Sequence, residues 1–349
     1  MSVFVDFHVL QTVPPSCVNR DDMGSPKTAI YGGTVRARVS SQAWKHAMRK
    51  EFKEDNAAGY RTKFFKQAII DKVLSLNSDL DASKIEKKVE KVLKTKISSK
   101  AWFEFEDDKK MKVLFFVSER QIENFAKLII DDDDDIKKYR DALNNNPSVD
   151  IALFGRMAAS DPTLNYDAAA QVAHAISTHA VQNEYDYFTA VDDLQTEDNA
   201  GAGHLGTIEF NSSTMYRYAT VNVSELVKTL GAENTASAVK KFGQAFIFSM
   251  PTGKENTFAN RTLPDMVYVT LRSDQPVNLC GAFEMPIKKS DSGYVSASKS
   301  RLMEYAQNVY SQFAAEPDKA WVNDISSELS LPELLSQLEK SVNDRINEV

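Results

Sequence analysis

The sequence contains little cysteine and no long hydrophobic run. Its two cysteines, Cys17 and Cys280, do not form the basis of a disulfide framework. The first ten residues lack the basic region of a signal peptide, and they include Asp6 and His8. No segment approaches the ~20 consecutive apolar residues that a membrane-spanning helix needs. We therefore expect a cytoplasmic protein without a membrane partner.

Motifs for metals and cofactors are also missing. The sequence has no CxxC, HExxH, Walker A or GxGxxG segment. His174 and His179 lie five residues apart on a predicted helix, so their side chains diverge. Asp21 and Asp22 could form a carboxylate pair for acid–base chemistry, or could cap turns and pair with Arg20 or a neighbouring subunit. We predict no metal site, no cofactor and no catalytic residue.

A basic segment stands out in an otherwise acidic chain. Residues 15–53 hold eight basic and three acidic residues, a formal charge of +5, whereas the whole chain carries −7. The cations are Arg20, Lys27, Arg36, Arg38, Lys45, Arg49, Lys50 and Lys53. Such a concentration of positive charge is a candidate anion-binding surface, which the overall charge conceals.

The order of residues in this segment favours a phosphate-binding arrangement. The Gly32-Gly33 pair permits positive φ and the close approach of a ligand. Residues 34–39 alternate and are rich in β-branched side chains, which predicts a strand. Ser40 or Ser41 can then cap a helix, whose free amides would lie beside the glycine turn and suit a phosphate.

The predicted helix covers residues 41–52 and has two distinct faces. Its polar face carries Gln42, Lys45 and Arg49 at helical spacing. This face could hold a phosphate backbone, and the alternative is an ordinary amphipathic helix with a solvated basic side.

The remaining chain divides into a main fold and an insertion. Residues 3–10 predict a strand that is largely buried on one face. Lys, Glu and Asp dominate residues 55–146, which predicts an inserted helical subdomain. Residues 149–160 predict an apolar strand, and the Ala-rich residues 167–181 predict a helix. Helices within the insertion are predicted over residues 64–76, 83–93 and 118–130.

A long hairpin is predicted from two strand-like runs, 185–193 and 207–223. The segment between them, 195–206, contains Gly201, Gly203 and Gly206 and is too glycine-rich for a tight turn. It could be an arm that becomes ordered on contact with a partner, or a disordered surface loop.

The order of the elements indicates the fold class. Without the insertion and the hairpin, the elements run strand, helix, strand, strand, helix, strand. This order is typical of a ferredoxin-like or RRM-type sheet, which often binds RNA. We predict an α+β fold built on a modified RRM or ferredoxin-like sheet.

Several segments resemble one known family in the same order along the chain. These are HVLQTVPPSCVNRDDMGSPKTAIYGGTVRARVSSQAWKHAMRK, SVDIALFGRMAAS, AHAISTHAVQNEYDYFTAVDDLQ and GAGHLGTIEFNSSTMYRYATVN. They resemble the repeated backbone subunit of type I-E CRISPR Cascade complexes, the CasC family. The resemblance covers residues 1–53 and 148–300.

The resemblance implies a hand-like architecture. Its palm is a modified RRM fold, its fingers are the helical insertion and its thumb is the long hairpin. The implied boundaries are 1–54, 148–184 and 224–349 for the palm with C-terminal helices, 55–147 for the fingers and 185–223 for the thumb.

The resemblance also implies a non-catalytic role in antiviral defence. Several copies would polymerise head to tail along a CRISPR guide RNA, cover its spacer and present its bases to target DNA. The implied partners are the guide RNA, the target DNA strand, other copies of the chain and other Cascade subunits.

Individual residues match the family's contact positions. The guide-RNA contacts implied in this way are Arg20, Lys27, Ser40, Gln42, Lys45, Arg49, Arg156, Met157, Thr189, Lys288 and Lys289. Among them, Met157 and Thr189 match the pair that packs around a displaced nucleotide, and core packing is the alternative for Met157. Lys137 and Lys138 correspond to finger lysines that grip target DNA.

Two other functions compete with the scaffold hypothesis. One is an RNA-processing or target-cleaving endoribonuclease of the same superfamily, for which Asp21, Asp22 and His46 are the candidate catalytic groups near the basic segment. The other is a structural adaptor without nucleic-acid contact, which the basic segment disfavours.

Overall fold

The chain folds into a mixture of helices and antiparallel strands. The computed structural model describes residues 2–54, 57–97, 100–190 and 204–348. The strands are β1 (Phe4–Ser16), β2 (Thr28–Tyr31), β3 (Thr34–Val39), β4 (Tyr60–Thr62), β5 (Lys96–Ile97), β6 (Lys100–Ala101), β7 (Phe115–Val117), β8 (Ala170–Val172), β9 (Ala175–Ser177), β10 (Glu184–Ala190), β11 (His204–Asn222), β12 (Met266–Arg272) and β13 (Lys319–Asp324). The helices are α1 (Ser41–Glu54), α2 (Phe65–Leu76), α3 (Ala82–Leu93), α4 (Glu119–Ile130), α5 (Ile136–Asn144), α6 (Val149–Phe154), α7 (Val223–Leu230), α8 (Ala232–Phe248), α9 (Glu255–Phe258), α10 (Val295–Gln312) and α11 (Leu331–Asn347).

The chain forms two compact units. The first comprises Met1–Met48, Val172–Thr220 and Val239–Val349, and the second comprises Arg49–Gln171 and Val221–Ala238. Among the described helices, none combines the length and the apolar character needed to cross a lipid bilayer.

The first unit is built on a large antiparallel sheet. Its strand order is β13-β12-β1-β11-β9-β3-β2, and β10 pairs with β11. The pairings of β1 with β12, β12 with β13, β3 with β9 and β2 with β3 are all antiparallel. This sheet confirms the predicted mixed α+β class.

Strand β1 is buried on both faces, whereas the sequence predicted one largely buried face. On one face, Phe7 packs against Phe242 with ring centroids 5.6 Å apart. On the other face, the hydroxyl of Tyr218 donates to Asp6 Oδ1 over 2.9 Å, and His8 Nδ1 lies 2.8 Å from the Tyr216 hydroxyl. These hydrogen bonds offset the cost of burying polar groups. The face of β1 that carries Asp6 and His8 is therefore buried, although these side chains are polar.

The second unit has its own apolar core. An aromatic cluster lies at its centre, and Phe65 contacts Phe103, Phe115 and Phe125 with ring centroids 5.5, 5.1 and 5.8 Å apart. Helices α2, α3, α4 and α5 each contribute buried side chains to this core. The predicted helices over 64–76, 83–93 and 118–130 are confirmed by α2, α3 and α4.

Two predicted elements have the opposite type. Residues 149–160 do not form a strand, because Val149–Phe154 is the helix α6 and Gly155, at φ 77°, ends it. Residues 167–181 do not form a helix, because β9 pairs with both β11 and β3. A short apolar run does not distinguish helix from strand by periodicity, and pairing inside a sheet overrides the helix propensity of alanine.

The predicted hairpin is confirmed at its base. Strands β10 and β11 pair antiparallel from Glu184↔Phe210 to Ala190↔His204. Of the predicted arm at the tip, residues 195–203 with Gly201 and Gly203 lie outside the described residues. Gly206, which was also assigned to the arm, belongs to β11 and pairs with Phe188.

Candidate nucleic-acid interface

The start of helix α1 brings three of the predicted contact residues together. Ser40 is buried, its backbone N–H donates to Asn19 Oδ1 over 2.9 Å, and its hydroxyl accepts from the Ala43 N–H over 3.3 Å. Ser40 is therefore the N-cap, as its position after a strand predicted. Gln42 is exposed and Lys45 is half-buried one turn later, so both can reach a ligand at the helix surface.

The glycine pair closes a hairpin and does not lie beside this helix. Gly32 and Gly33 have φ values of 58° and 73° and form the two-residue turn between β2 and β3. A Cβ at Gly32 would lie 1.6 Å from the Glu284 carbonyl oxygen, so a protein carbonyl takes the place expected for a ligand. Strand β3 separates this turn from Ser40 by about 20 Å, at the usual rise of a strand.

Two arginines of β3 have different surroundings. Arg36 is buried, and its guanidinium donates to the carbonyls of Ser177 and Phe283 over 2.9 Å each. Arg38 is half-buried, donates to the Thr28 carbonyl over 3.1 Å and lies 3.1 Å from His174 Nδ1. Only Arg38 of this pair can add charge to an external surface.

Lys27 and Arg38 both influence the pKa of the His174 ring. Burial first, then the Arg38 and Lys27 cations, lower the pKa of His174 below its ordinary value. Lys27 is half-buried, and its backbone N–H donates to the Asn19 carbonyl over 2.8 Å, close to the residue that holds Ser40. The sequence predicted Lys27 as a contact and missed Arg38, although Arg38 belongs to the basic segment.

Arg20 lies at the base of a tight turn. It is exposed and forms an antiparallel bridge with Pro26. Within this turn, Asp21 Oδ1 accepts from the backbone N–H groups of Met23 and Ser25 over 2.9 and 3.0 Å. Asp21 therefore caps a turn, which was one of the two alternatives from the sequence.

Arg49 is held inside the second unit by an ion pair. Its Nε lies 2.8 Å from Asp150 Oδ2, and its side chain is 11% exposed against 0% for Asp150. A second donor, Nη2, bonds to the Gly59 carbonyl over 2.9 Å. Two of its nitrogens, Nε and Nη2, therefore donate to protein acceptors in this conformation. Contact between Arg49 and a phosphate stays a prediction.

Arg156 is also a structural residue, which corrects its prediction as an RNA contact. It is 4% exposed, and its guanidinium donates over 2.8 Å to the carbonyls of Leu164 and Leu143 and over 3.2 Å to that of Phe116. Burial lowers the pKa of Arg156 to about 10, so the side chain keeps its charge at neutral pH.

Met157 projects from this anchored backbone. Its side chain is 83% exposed, although Arg156 before it and Ala158 after it are buried. The backbone is fixed on both sides, since Arg156 exchanges two hydrogen bonds with Tyr166 over 3.1 and 2.9 Å and the Ala158 N–H donates to Asn165 over 2.6 Å. The core-packing alternative for Met157 is therefore wrong, and the geometry suits an apolar wedge.

Thr189 lies on the hairpin of β10 and β11. Every residue of β10 is exposed, and Thr189 pairs with Leu205 across the ribbon. It alternates onto the same face as Tyr185 and Tyr187, whose side chains are 68% and 73% exposed.

The other predicted lysines are on the surface. Lys288 and Lys289 are exposed in the loop before α10. Lys137 and Lys138 are exposed on α5, and Lys138 Nζ lies 2.5 Å from Asp133 Oδ2. The acidic run therefore provides Lys138 with an internal counter-ion in the free chain.

Comparisons with known proteins found a matching family and similar solved structures. The family model described as "CT1975-like protein" (Cas_CT1975) matches residues 5–348. A chain of a solved "CRISPR RNA-guided surveillance complex, pre-nicking" shares 32% sequence identity at a TM-score of 0.85, with 97% of this chain and 100% of that chain covered. A chain of a "CRISPR RNA-guided surveillance complex" shares 29% identity at a TM-score of 0.64, with 98% and 99% covered. A search of curated proteins gave no match.

Proposed function

The chain belongs to the CT1975-like family of Cas proteins, and from that membership we propose that it is a guide-RNA-binding backbone subunit of a type I-E Cascade complex. The observation that carries the proposal is the similarity of nearly the whole chain to a chain of a CRISPR RNA-guided surveillance complex, with a TM-score of 0.85. Guide RNA and other Cascade subunits are then its partners.

The distribution of charge supports contact with an RNA backbone. Arg20, Lys27, Arg38 and Lys45 lie in the first unit, around the N-cap of α1 and the strand that precedes it. Cations and a helix N-terminus bind phosphate without reading a base. This surface therefore holds guide RNA of any sequence.

The residues of the second unit support a further role in shaping the guide. The exposed Met157 on a fixed backbone can unstack neighbouring bases, which costs roughly a few kcal/mol per step. Interrupting the stack at each copy would leave short base segments presented for pairing with a target DNA strand. In this proposal Thr189 contacts the guide from the hairpin of the first unit, and Lys137 is the finger lysine that contacts DNA.

The architecture follows the hand-like organisation of the resembling subunits. In this proposal the sheet of the first unit belongs to the RRM-like palm, helices α2 to α5 within residues 55–147 are the fingers, and the β10–β11 hairpin is the thumb. Copies assemble head to tail on the guide, because two different surfaces in contact give an open filament.

The proposed role is non-catalytic. Of the candidate groups for a ribonuclease, Asp21 is bound to two backbone N–H groups of its own turn. We expect no cleavage of guide or target RNA when the purified chain is incubated with either, with Mg²⁺ or with a chelator. Cleavage that Asp22→Ala abolishes would contradict a scaffold role.

The salt dependence of guide binding tests the phosphate contacts. Lys27→Ala should weaken binding equally for different RNA sequences and lower the slope of log K against log salt by about one. The matched control is Lys228→Ala, since Lys228 is an exposed lysine paired with Glu225 in helix α7. Loss of affinity for one RNA sequence only, or an unchanged slope, would contradict the phosphate contact.

A further inference from the structure

The loop between α8 and β12 has a non-glycine residue with an unusual backbone conformation at each end of the short helix α9. Lys254, before the helix, has a φ of 48°, and Ala259, after it, has a φ of 47°. In this left-handed region a β-carbon crowds the backbone, so residues other than glycine rarely adopt it. Such residues persist only where the surrounding structure holds them, and they are concentrated at functional sites.

Contacts on either side of α9 fix this loop to the rest of the first unit. Before the helix, a Cβ on Gly253 would lie 2.2 Å from the Val18 carbonyl oxygen and 2.6 Å from that of Cys17, so only glycine allows this close approach. After the helix, Thr262 Oγ1 donates to the Thr12 carbonyl over 2.8 Å. The position of Lys254 is therefore set by the packing of the loop.

The Gly253 contact brings Lys254 close to the turn that begins with Arg20. Burial raises the pKa of Cys17, and the Lys254 and Arg20 cations oppose this rise, so both cations act on one thiol. Lys254 is half-buried and Arg20 is exposed, and neither forms an ion pair with another described residue. Two cations that are far apart in the sequence thus lie near the same thiol without a carboxylate partner.

The carboxylates near this thiol decide what kind of anion can reach Lys254. Asp21 and Glu209 also raise the pKa of Cys17, and both accept hydrogen bonds from the protein, Glu209 from the Asn183 amide over 3.2 Å. Their negative charges weaken any long-range attraction of a free anion. A ligand must therefore contact the ammonium directly, which suits a phosphate of a chain that neighbouring cations already hold.

We propose that Lys254 binds a phosphate of the guide-RNA backbone close to the phosphate that Arg20 contacts. The ammonium donates to a phosphate oxygen, and the fixed backbone of the loop reduces the conformational freedom that binding would otherwise remove. The inference rests on the proposed function, which supplies the RNA, and it adds a contact from outside the basic segment. The charge pattern of the sequence conceals this contact, because Glu255 follows Lys254 and balances it.

Two glycine substitutions separate the charge of Lys254 from its backbone conformation. Lys254→Gly and Ala259→Gly both remove a β-carbon from a left-handed residue of the same loop, but only the first removes a cation. We expect both variants to keep the urea midpoint of the wild type or to raise it. Only Lys254→Gly should weaken guide-RNA binding, by about five- to tenfold at about 0.1 M salt, and lower the slope of log K against log salt by about one. Lys254→Arg, which keeps the cation, should retain both quantities.

Three results would overturn the inference and leave the proposed function intact. The first is a Lys254→Gly variant with the affinity and salt slope of the wild type. The second is equal weakening by Ala259→Gly, because the conformation of the loop would then matter and the charge would not. The third is a loss of affinity for one RNA sequence only, which would indicate contact with a base.

A failure of the proposed function gives a different result, since the wild-type chain would then bind no RNA. Inorganic polyphosphate, a chain of phosphates without sugar or base, serves as the probe in that case. Weaker polyphosphate binding by Lys254→Gly than by the wild type and Ala259→Gly would support a phosphate site at Lys254. Equal binding by all three proteins, or no binding by the wild type, would overturn it.

Discussion

Buried arginines and surface lysines have separate tasks in this chain. Arg36 and Arg156 donate to backbone carbonyls in the interior, and Arg49 pairs with a buried aspartate. The planar guanidinium can satisfy several acceptors at once, which suits it to such positions. Lys27, Lys45 and Lys288 stay at or near the surface, where they can meet a phosphate.

The substitution Arg49→Ala tests whether this arginine has a structural role. Arg49→Ala would leave the Asp150 carboxylate, which is 0% exposed, without its cation. Removing one partner of a buried ion pair costs about 3 kcal/mol of unfolding free energy or somewhat more. Urea denaturation of the variant and the wild type measures this loss.

The neighbouring lysine provides the control for Arg49. Lys50 is exposed on the same helix, and Lys50→Ala should change the unfolding free energy by about 0.5 kcal/mol or less. If Arg49→Ala is as mild as Lys50→Ala yet impairs guide binding, then Arg49 is a phosphate contact after all.

At the scale of elements, local patterns correctly predicted those structures that depend on residues adjacent in sequence. The strand 34–39 and the cap at Ser40 depend on β-branched alternation and a serine, and both are found. The segments 149–160 and 167–181 were assigned the wrong type, because pairing of β9 with two strands depends on residues far away in sequence. Periodicity does not contain that information.

Strand β1 offers a pH-dependent test of burial. Burial raises the pKa of Asp6 from 3.8 to about 6, and hydrogen bonds from Val277, Thr220 and Tyr218 oppose the rise. The folded chain thus holds this proton more tightly than the unfolded chain, so the Asp6 contribution to stability is present at low pH. It is lost as the pH rises through about 6, by about 3 kcal/mol in total.

Comparison with Asp6→Asn isolates this contribution. The variant pays a constant cost for one lost acceptor, but the unfolding free energy of the wild type should fall relative to the variant between about pH 4 and pH 7. Burial lowers the pKa of His8 to about 3, and this group titrates in both proteins, so it cancels. A difference that stays constant across this range in urea denaturation would show that Asp6 is not perturbed.

At the scale of the whole molecule, charge is segregated along the chain. The basic segment 15–53 and the acidic segment 182–216 carry formal charges of +5 and −7. The basic segment is the candidate interface that the sequence indicated. The sequence did not show that Arg36, Arg49 and Arg156 are internal or that Met157 is exposed, because burial depends on packing between distant segments.

We propose that surface cations hold the sugar-phosphate chain of the guide irrespective of its bases. The most direct measurement is the affinity of the purified chain for a guide RNA and for a scrambled RNA of the same length, over a series of salt concentrations. We expect equal affinities and the same steep fall of affinity with salt for both RNAs. A strong preference for one sequence, or affinity that does not change with salt, would contradict it.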